Sequence, residues 1–203
     1  MTLPTAAALM RPRKDPKVAL ESFNGAPHNE TEYTFYAKLK SLKDLEGAKH
    51  REMHEQWRFP VSIDNGVKFR IRETNGIRWQ FTSKQTIPGK VGVIEIDTEV
   101  TKEKFAALRL AATDGYRKER FVFPVFGKDR MWEIDVFFNQ LGEKSLWVKI
   151  DLEVKDGDYS IPEFPFELED IITNQDSDQT VDETNFIRRL WDSEWCSLDE
   201  AAG

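Results

Sequence analysis

This chain of 203 residues has one cysteine, Cys196, so an intrachain disulfide cannot form and a reducing, cytoplasmic setting is the expectation. It also lacks any apolar run near the ~20 residues that a membrane-spanning helix needs. A secretory leader is not expected, because the short apolar stretch LPTAAALM is followed, not preceded, by Arg11, Arg13 and Lys14. Positive charge is in deficit: 29 Lys and Arg against 36 Asp and Glu give a formal net charge of -7. That balance argues against extensive binding of nucleic acid, and an anionic ligand needs a local basic site or a bridging metal. No repeat at a solenoid period and no low-complexity tract is present. What remains, 39% hydrophobic and 12% aromatic, suits one globular domain with a sizeable core.

Along the chain, residues 1–29 carry Pro4, Pro12, Pro16, Gly25 and Pro27 with little periodicity and read as an extended or partly helical lead. ETEYTFYAKLK, from Glu30, reads as one strand, after which Ser41 and Asp44 offer a capped start to a helix through about Glu55. Strands then dominate: QWRFPVSI, GVKFRIRE, a turn at Asn75-Gly76, IRWQFTSKQ, a loop at Pro88-Gly89 and VGVIEIDTEV. TKEKFAALRLAATDGY is the best helix, with Phe105, Leu108 and Ala112 at helical spacing and Gly115 at its end. RKERFVFPVF, RMWEIDVFF and LWVKIDLEV follow, separated by turns at Gly127 and Gly142. Thr180 and Glu183 form a capping box that opens a last helix, with Phe186, Ile187, Leu190 and Trp191 facing inward. So many short strands broken by few helices predict an α+β, predominantly β fold: a mostly antiparallel barrel decorated with helices.

Nearly every strand carries two like charges at i and i+2, with apolar residues at most of the alternate positions. The pairs are Glu30 and Glu32, Arg70 and Arg72, Glu95 and Asp97, Lys118 and Arg120, Glu133 and Asp135, and Asp151 and Glu153, with Lys84 alone on its strand. Strand alternation puts both members of a pair on one face. Taken singly, each pair is the wet face of an antiparallel sheet. Sorting by sign, strand by strand, is what a wet face does not need, because like charges side by side repel unless something neutralises them. Carboxylates gather a hard divalent cation, and Arg and Lys clamp phosphate oxygens, so a metal-bound polyphosphate satisfies both sets.

The ordered set resembles the CYTH superfamily, the triphosphate tunnel metalloenzymes. ETEYTFYA is similar to that family's ExExK strand, and FRIRE, TSKQ, IEIDTE, RKERF, WEIDVF and KIDLEV follow in the family's order, so the likeness runs from about Glu30 to Glu153. It implies an eight-stranded antiparallel closed barrel over residues 30–203, after an extension at 1–29. It further implies a charged tunnel that takes a triphosphate-containing small molecule with Mg²⁺ or Mn²⁺. By position, Glu30, Glu32, Glu133, Asp135, Asp151 and Glu153 would be metal ligands, the first four also catalytic, and Arg70, Arg72, Lys84, Lys118 and Arg120 would bind phosphate. One position departs: Thr34 stands where the motif has lysine, and Lys38 is on the same strand face. Three activities stay open, namely hydrolysis of an inorganic or organic triphosphate, cyclisation as in class IV adenylyl cyclases, and binding of a polyanion without turnover.

The remaining candidates read as structural. His50 and His54, four apart on the expected helix with Glu52 between them, lack HExxH order and a third ligand, and an exposed helix face explains them. Cys196 has no nucleophile signature. Trp57, Trp79, Trp132 and Trp147 could stack a base, but alternation with the charged positions assigns most of them to the core.

Overall fold

The computed structural model describes residues 28–30, 32–59, 67–86, 93–153, 158, 160–172 and 183–191. Ten strands follow in chain order: β1 (His28–Glu30), β2 (Glu32–Leu39), β3 (His50–Arg58), β4 (Val67–Thr74), β5 (Arg78–Thr86), β6 (Val93–Glu99), β7 (Asp114–Pro124), β8 (Met131–Phe138), β9 (Lys144–Glu153) and β10 (Leu168–Ile172). Two helices accompany them, α1 (Lys102–Arg109) and α2 (Glu183–Trp191), with a 3-10 turn at Leu42–Gly47. In the sheet the order is β1-β6-β5-β4-β3-β7-β8-β9-β2-β10. Among the described residues no ladder joins β1 to β10, so hydrogen bonds do not close the sheet into the expected eight-stranded barrel. No described helix is long and apolar enough to cross a membrane.

Two compact units divide the chain, one of residues 1–31 and 54–116, the other of residues 32–53 and 117–203. In the first, β6, β5 and β4 pair antiparallel, and the apolar face of β4 and β5 packs on α1 through Ile71, Phe81, Phe105 and Leu108. Thr101 caps α1, its hydroxyl accepting from the Lys104 amide at 3.3 Å. In the second, β7, β8, β9, β2 and β10 pair in that order. Alternate residues of these strands form the core, among them Phe121, Trp132, Ile134, Val136, Val148, Ile150 and Leu152, with Phe164 stacked on Trp132 at 4.8 Å. Arg130, almost wholly buried, donates to the carbonyls of Glu153 at 3.0 Å and Ser160 at 2.7 Å.

Several sequence expectations change. The expected strand from Glu30 is divided: β1, which ends at Glu30, pairs with β6, whereas β2, which starts at Glu32, pairs with β9 and β10, so Glu30 and Glu32 are on different strands. The Ser41 cap forms, accepting from the Lys43 amide at 3.1 Å, but it starts one 3-10 turn, not a helix to Glu55. From His50 the chain extends as β3, because cross-strand pairing with β4 and β7 outweighs the local helical preference. The histidines therefore share no helix face: His54 is fully buried, and His50 is exposed beside Glu52 at 3.2 Å. β10, not anticipated from LEDII, is added to β2. The helix at α1 is shorter than expected, and Gly115, instead of ending it, is in β7 under the Trp57 indole. The Asn75-Gly76 turn forms with φ of 53 and 70, and Gly127 and Gly142 also take positive φ. Phe186, Ile187 and Leu190 of α2 are buried as expected. The expected lead at 1–27, the Pro88-Gly89 loop, Thr180 and Cys196 lie outside the described residues.

Gly115 offers a direct check on packing. A Cβ there would be 2.3 Å from Trp57 Cδ1, whereas one at Gly47 meets nothing closer than 3.8 Å. Gly115→Ala is expected to lower stability by about 1–3 kcal/mol through displacement of the indole. Gly47→Ala should stay within about 0.5 kcal/mol. Urea denaturation of both variants reads the difference, and equal midpoints would remove the packing role of Gly115.

Candidate functional site

In the second unit, strand alternation divides each strand into an apolar and a charged side. Register then aligns the charged positions in rows across β7, β8, β9 and β2. One row runs Arg120, Asp135, Lys149, Tyr36, and the next runs Val122, Glu133, Asp151, Thr34. Asp135 is fully buried and holds two cations: Lys118 Nζ is 2.5 Å from Oδ2, and Arg120 donates to Oδ1 at 2.7 Å and to Oδ2 at 2.8 Å. A further Arg120 nitrogen donates to Glu133, whose side chain is 40% exposed. Lys149 donates to Asp151 Oδ2 at 2.6 Å, and the Thr34 hydroxyl donates to Oδ1 at 2.8 Å. Glu32 and Glu153 face each other directly across β2 and β9, and both are exposed.

Burial and charge compete here, with different winners. Burial alone would raise the Asp135 carboxyl, but the cations of Arg120, Lys118 and Lys149 hold it well below the usual carboxylate range. Burial pushes the Lys118 ammonium down, and Asp135 and Glu183 offset that only in part. For Arg120 and Lys149 the neighbouring carboxylates outweigh burial and hold both well above their ordinary values.

At one end of this face α2 is in contact. Phe186 packs tilted against Tyr36, ring centroids 4.5 Å apart, and edge-on to Phe137 at 5.6 Å, and Glu183 is 3.6 Å from Lys118 Nζ. Lys38, on the same side of β2, is committed to Glu169 of β10 at 3.4 Å.

The first unit has its own charged side on β4, β5 and β6. Glu95 is buried between two cations: it accepts from Arg70 at 2.7 Å and forms an ion pair with Lys84 Nζ at 2.5 Å. Thr82 donates to Asp97, its register partner. Arg72 is opposite Gln56 and Gln80, and Gln56 bonds the Tyr116 hydroxyl in a buried contact.

The residues picked from like-charge pairs thus fall in two clusters, each described within its own unit. Glu30 belongs to β1 and Glu32 to β2. Lys149 was missed, because β9 alternates sign as Lys149, Asp151 and Glu153, and a search for like pairs passes over it. The lysine two residues before an acidic pair, on the same strand face, was the available signal. Of the tryptophans, Trp132 is in the core, Trp57 and Trp79 pack against the first unit's core, and Trp147, two residues from Lys149 on the same side of β9, is buried.

Among the described residues, no three carboxylate, imidazole or thiolate groups are grouped to hold an ion. Both oxygens of Asp135 and both of Asp151 already accept from this chain's own donors. The neutralising charge that the paired carboxylates require is supplied by Lys118, Arg120 and Lys149.

No protein-family model matches the chain, and no curated protein matches it. Several solved structures are similar in fold. The inorganic triphosphatase NE1496 is 19% identical, with 82% of this chain and 97% of that one covered at a TM-score of 0.47. A Bacillus halodurans protein, bh2851, proposed to be an adenylate cyclase, is 16% identical over 65% of this chain and 83% of its own, at 0.47. The Mediator head module of Schizosaccharomyces pombe is 8% identical over 66% and 86%, at 0.46. Neighbours of such different kinds carry no assignment of activity, which must come from the side chains.

The Asp135 cluster sets an expectation for stability. Asp135→Asn leaves two buried cations short of a counter-charge and should cost about 3–5 kcal/mol at neutral pH. Glu133→Gln, at a more exposed carboxylate, should cost under about 1 kcal/mol. Because the folded carboxyl of Asp135 titrates below its unfolded value, its contribution is complete above about pH 4 and is lost as pH falls through the folded value. Denaturation midpoints followed on acidification should therefore drop more steeply in the parent than in Asp135→Asn. Parallel curves would show that the pair contributes nothing to folding.

Proposed function

We propose that the chain is a hydrolase of a triphosphate, inorganic or organic, bound on the charged sheet face. The observation that carries this reading is the buried pair of cations, Lys118 and Arg120, held on one carboxylate, Asp135. Burying such a network costs desolvation that well-packed apolar residues would avoid, so its presence on a sheet face favours a role in binding. The guanidinium fork of Arg120 suits two phosphate oxygens, and Lys118 adds a point charge. Arg70, Arg72 and Lys84 form the corresponding phosphate-holding set of the first unit.

In this reading the carboxylates keep the cations placed and charged before the ligand arrives. Asp135 positions Arg120 and Lys118. Glu133, partly exposed and bound through one oxygen, is the carboxylate best suited to orient an attacking water, with Glu30 and Glu32 as the other acidic candidates. The divalent ion, Mg²⁺ or Mn²⁺, enters as part of the substrate, already chelated by the phosphates. Glu32, Glu153 and Asp151 are the acidic residues beside which that complex would dock. Hydrolysis is favoured over cyclisation because it needs a phosphate clamp and a water, both of which these side chains can serve. Cyclisation requires in addition a grip on ribose and base.

The test is a screen of tripolyphosphate, ATP and thiamine triphosphate with Mg²⁺ or Mn²⁺, with products resolved by chromatography. Release of orthophosphate, or ADP from ATP, is the expected result. Cyclic AMP with pyrophosphate as the main products would overturn the hydrolase reading, and full turnover in excess chelator would overturn the metal-bound substrate. Tripolyphosphate that raises the melting temperature without being consumed would leave a binding module. Arg120→Ala should reduce kcat/KM by about ten-fold or more, the worth of one desolvated charge-assisted contact. Arg70→Ala should do the same, and undiminished turnover in both would remove the phosphate clamp.

A further inference from the structure

We propose that Lys149 is a further phosphate-contacting cation of this face, taking a phosphoryl oxygen of the polyphosphate in the row where position 34 has a hydroxyl instead of a charge. The inference rests on the triphosphate reading above and adds to it a residue that the like-charge pattern does not contain. Register aligns Lys149 with Asp135 on one side and Tyr36 on the other, one row away from Thr34 and Asp151. Its ammonium nevertheless reaches into the Thr34 row, because Nζ is 2.6 Å from Asp151 Oδ2 while the Thr34 hydroxyl holds Oδ1 of the same carboxylate at 2.8 Å. A cation is thus delivered next to Thr34 from the neighbouring strand.

Lys38, the other lysine on this side of β2, is engaged with Glu169 and does not serve that row. Arg130 is buried too, but it donates to two backbone carbonyls and secures a chain segment. Lys149 differs from both. Its side chain is 13% exposed, and among the described residues its one hydrogen bond goes to Asp151. An ammonium has three donors, so capacity remains for an oxygen of the ligand while Asp151 keeps the group in place. Its partner across the sheet, Asp135, and Asp151 two residues along its own strand belong to the cluster already assigned to phosphate binding, so the added cation is in line with Arg120 along one row. Phosphoryl oxygens are the chemical class that such a row of nitrogen donors recognises.

Calorimetric titration with tripolyphosphate, with and without Mg²⁺, tests the assignment without depending on turnover. Lys149→Met should weaken binding about ten-fold or more. The charge relocated across the strands, Thr34→Lys combined with Lys149→Met, should recover most of that loss, which a purely structural lysine would not allow. In the parent protein, tripolyphosphate should also shift the Nζ resonance of ¹⁵N-labelled Lys149, a readout that needs no variant to fold. Parent protein that fails to bind tripolyphosphate would remove the triphosphate reading and this inference with it. Parent binding with an unmoved Lys149 resonance, undiminished affinity in Lys149→Met, or no recovery in a folded double variant would remove this inference alone.

Discussion

A single carboxylate bound by two cations at full burial is the constraint around which the second unit is arranged. Asp135 can be charged there only because Lys118 and Arg120 donate to it, and those two can be charged only because Asp135 accepts. The pair of strands that carries them, β7 and β8, has no freedom to slip: a shift of one residue would place Trp132, Ile134 and Val136 where the charges are and drive Asp135 into the apolar core. Charge pairing and hydrophobic burial therefore enforce the same register from opposite faces. Such agreement between levels is what gives a β-rich chain one native pairing among many.

The same alternation explains how much of the molecule could be read from the chain. Apolar residues at every second position of β4, β8 and β9 announced both the strands and the side on which the charges lie, and the structure puts Arg70, Arg120, Glu133, Asp135 and Asp151 on that side. Turns with a demanding backbone were equally legible, because Asn75-Gly76 and Gly142 have few alternatives at positive φ. What escaped depended on partners distant in sequence. His50–Arg58 has the polarity of a solvated helix, and its pairing with β4 and β7 makes it a strand. The division between β1 and β2 has no local mark; it arises because the two strands are claimed by different partners, β6 and β9.

Lys149 shows a subtler limit. A pattern built on like charges finds positions that repel and therefore demand a neutralising ion, but it overlooks cations that have already met the demand. In β9 the neutralising charge is two residues from the acid it serves, so the sequence is quietest where the electrostatics are best balanced. Thr34 had the opposite fate. It looked like a loss when seen as a missing charge, and its value as a donor to Asp151 became visible only through the β2 to β9 register.

Arg130 has a consequence for the entropy of the chain. By grasping Glu153 and Ser160 with one planar group, it ties the end of β9 to the segment that returns with Phe164 and Phe166 over the core. Closing a loop is costly chiefly in freedom lost by its ends, and here a side chain that is itself fixed by burial holds both of them. The aromatic cover on Trp132 and Phe35 is then presented by a segment whose origin is already secured, so its packing has less disorder to overcome. A lysine at 130 would keep the charge and lose the fork, and the tether between the two carbonyls would go with it.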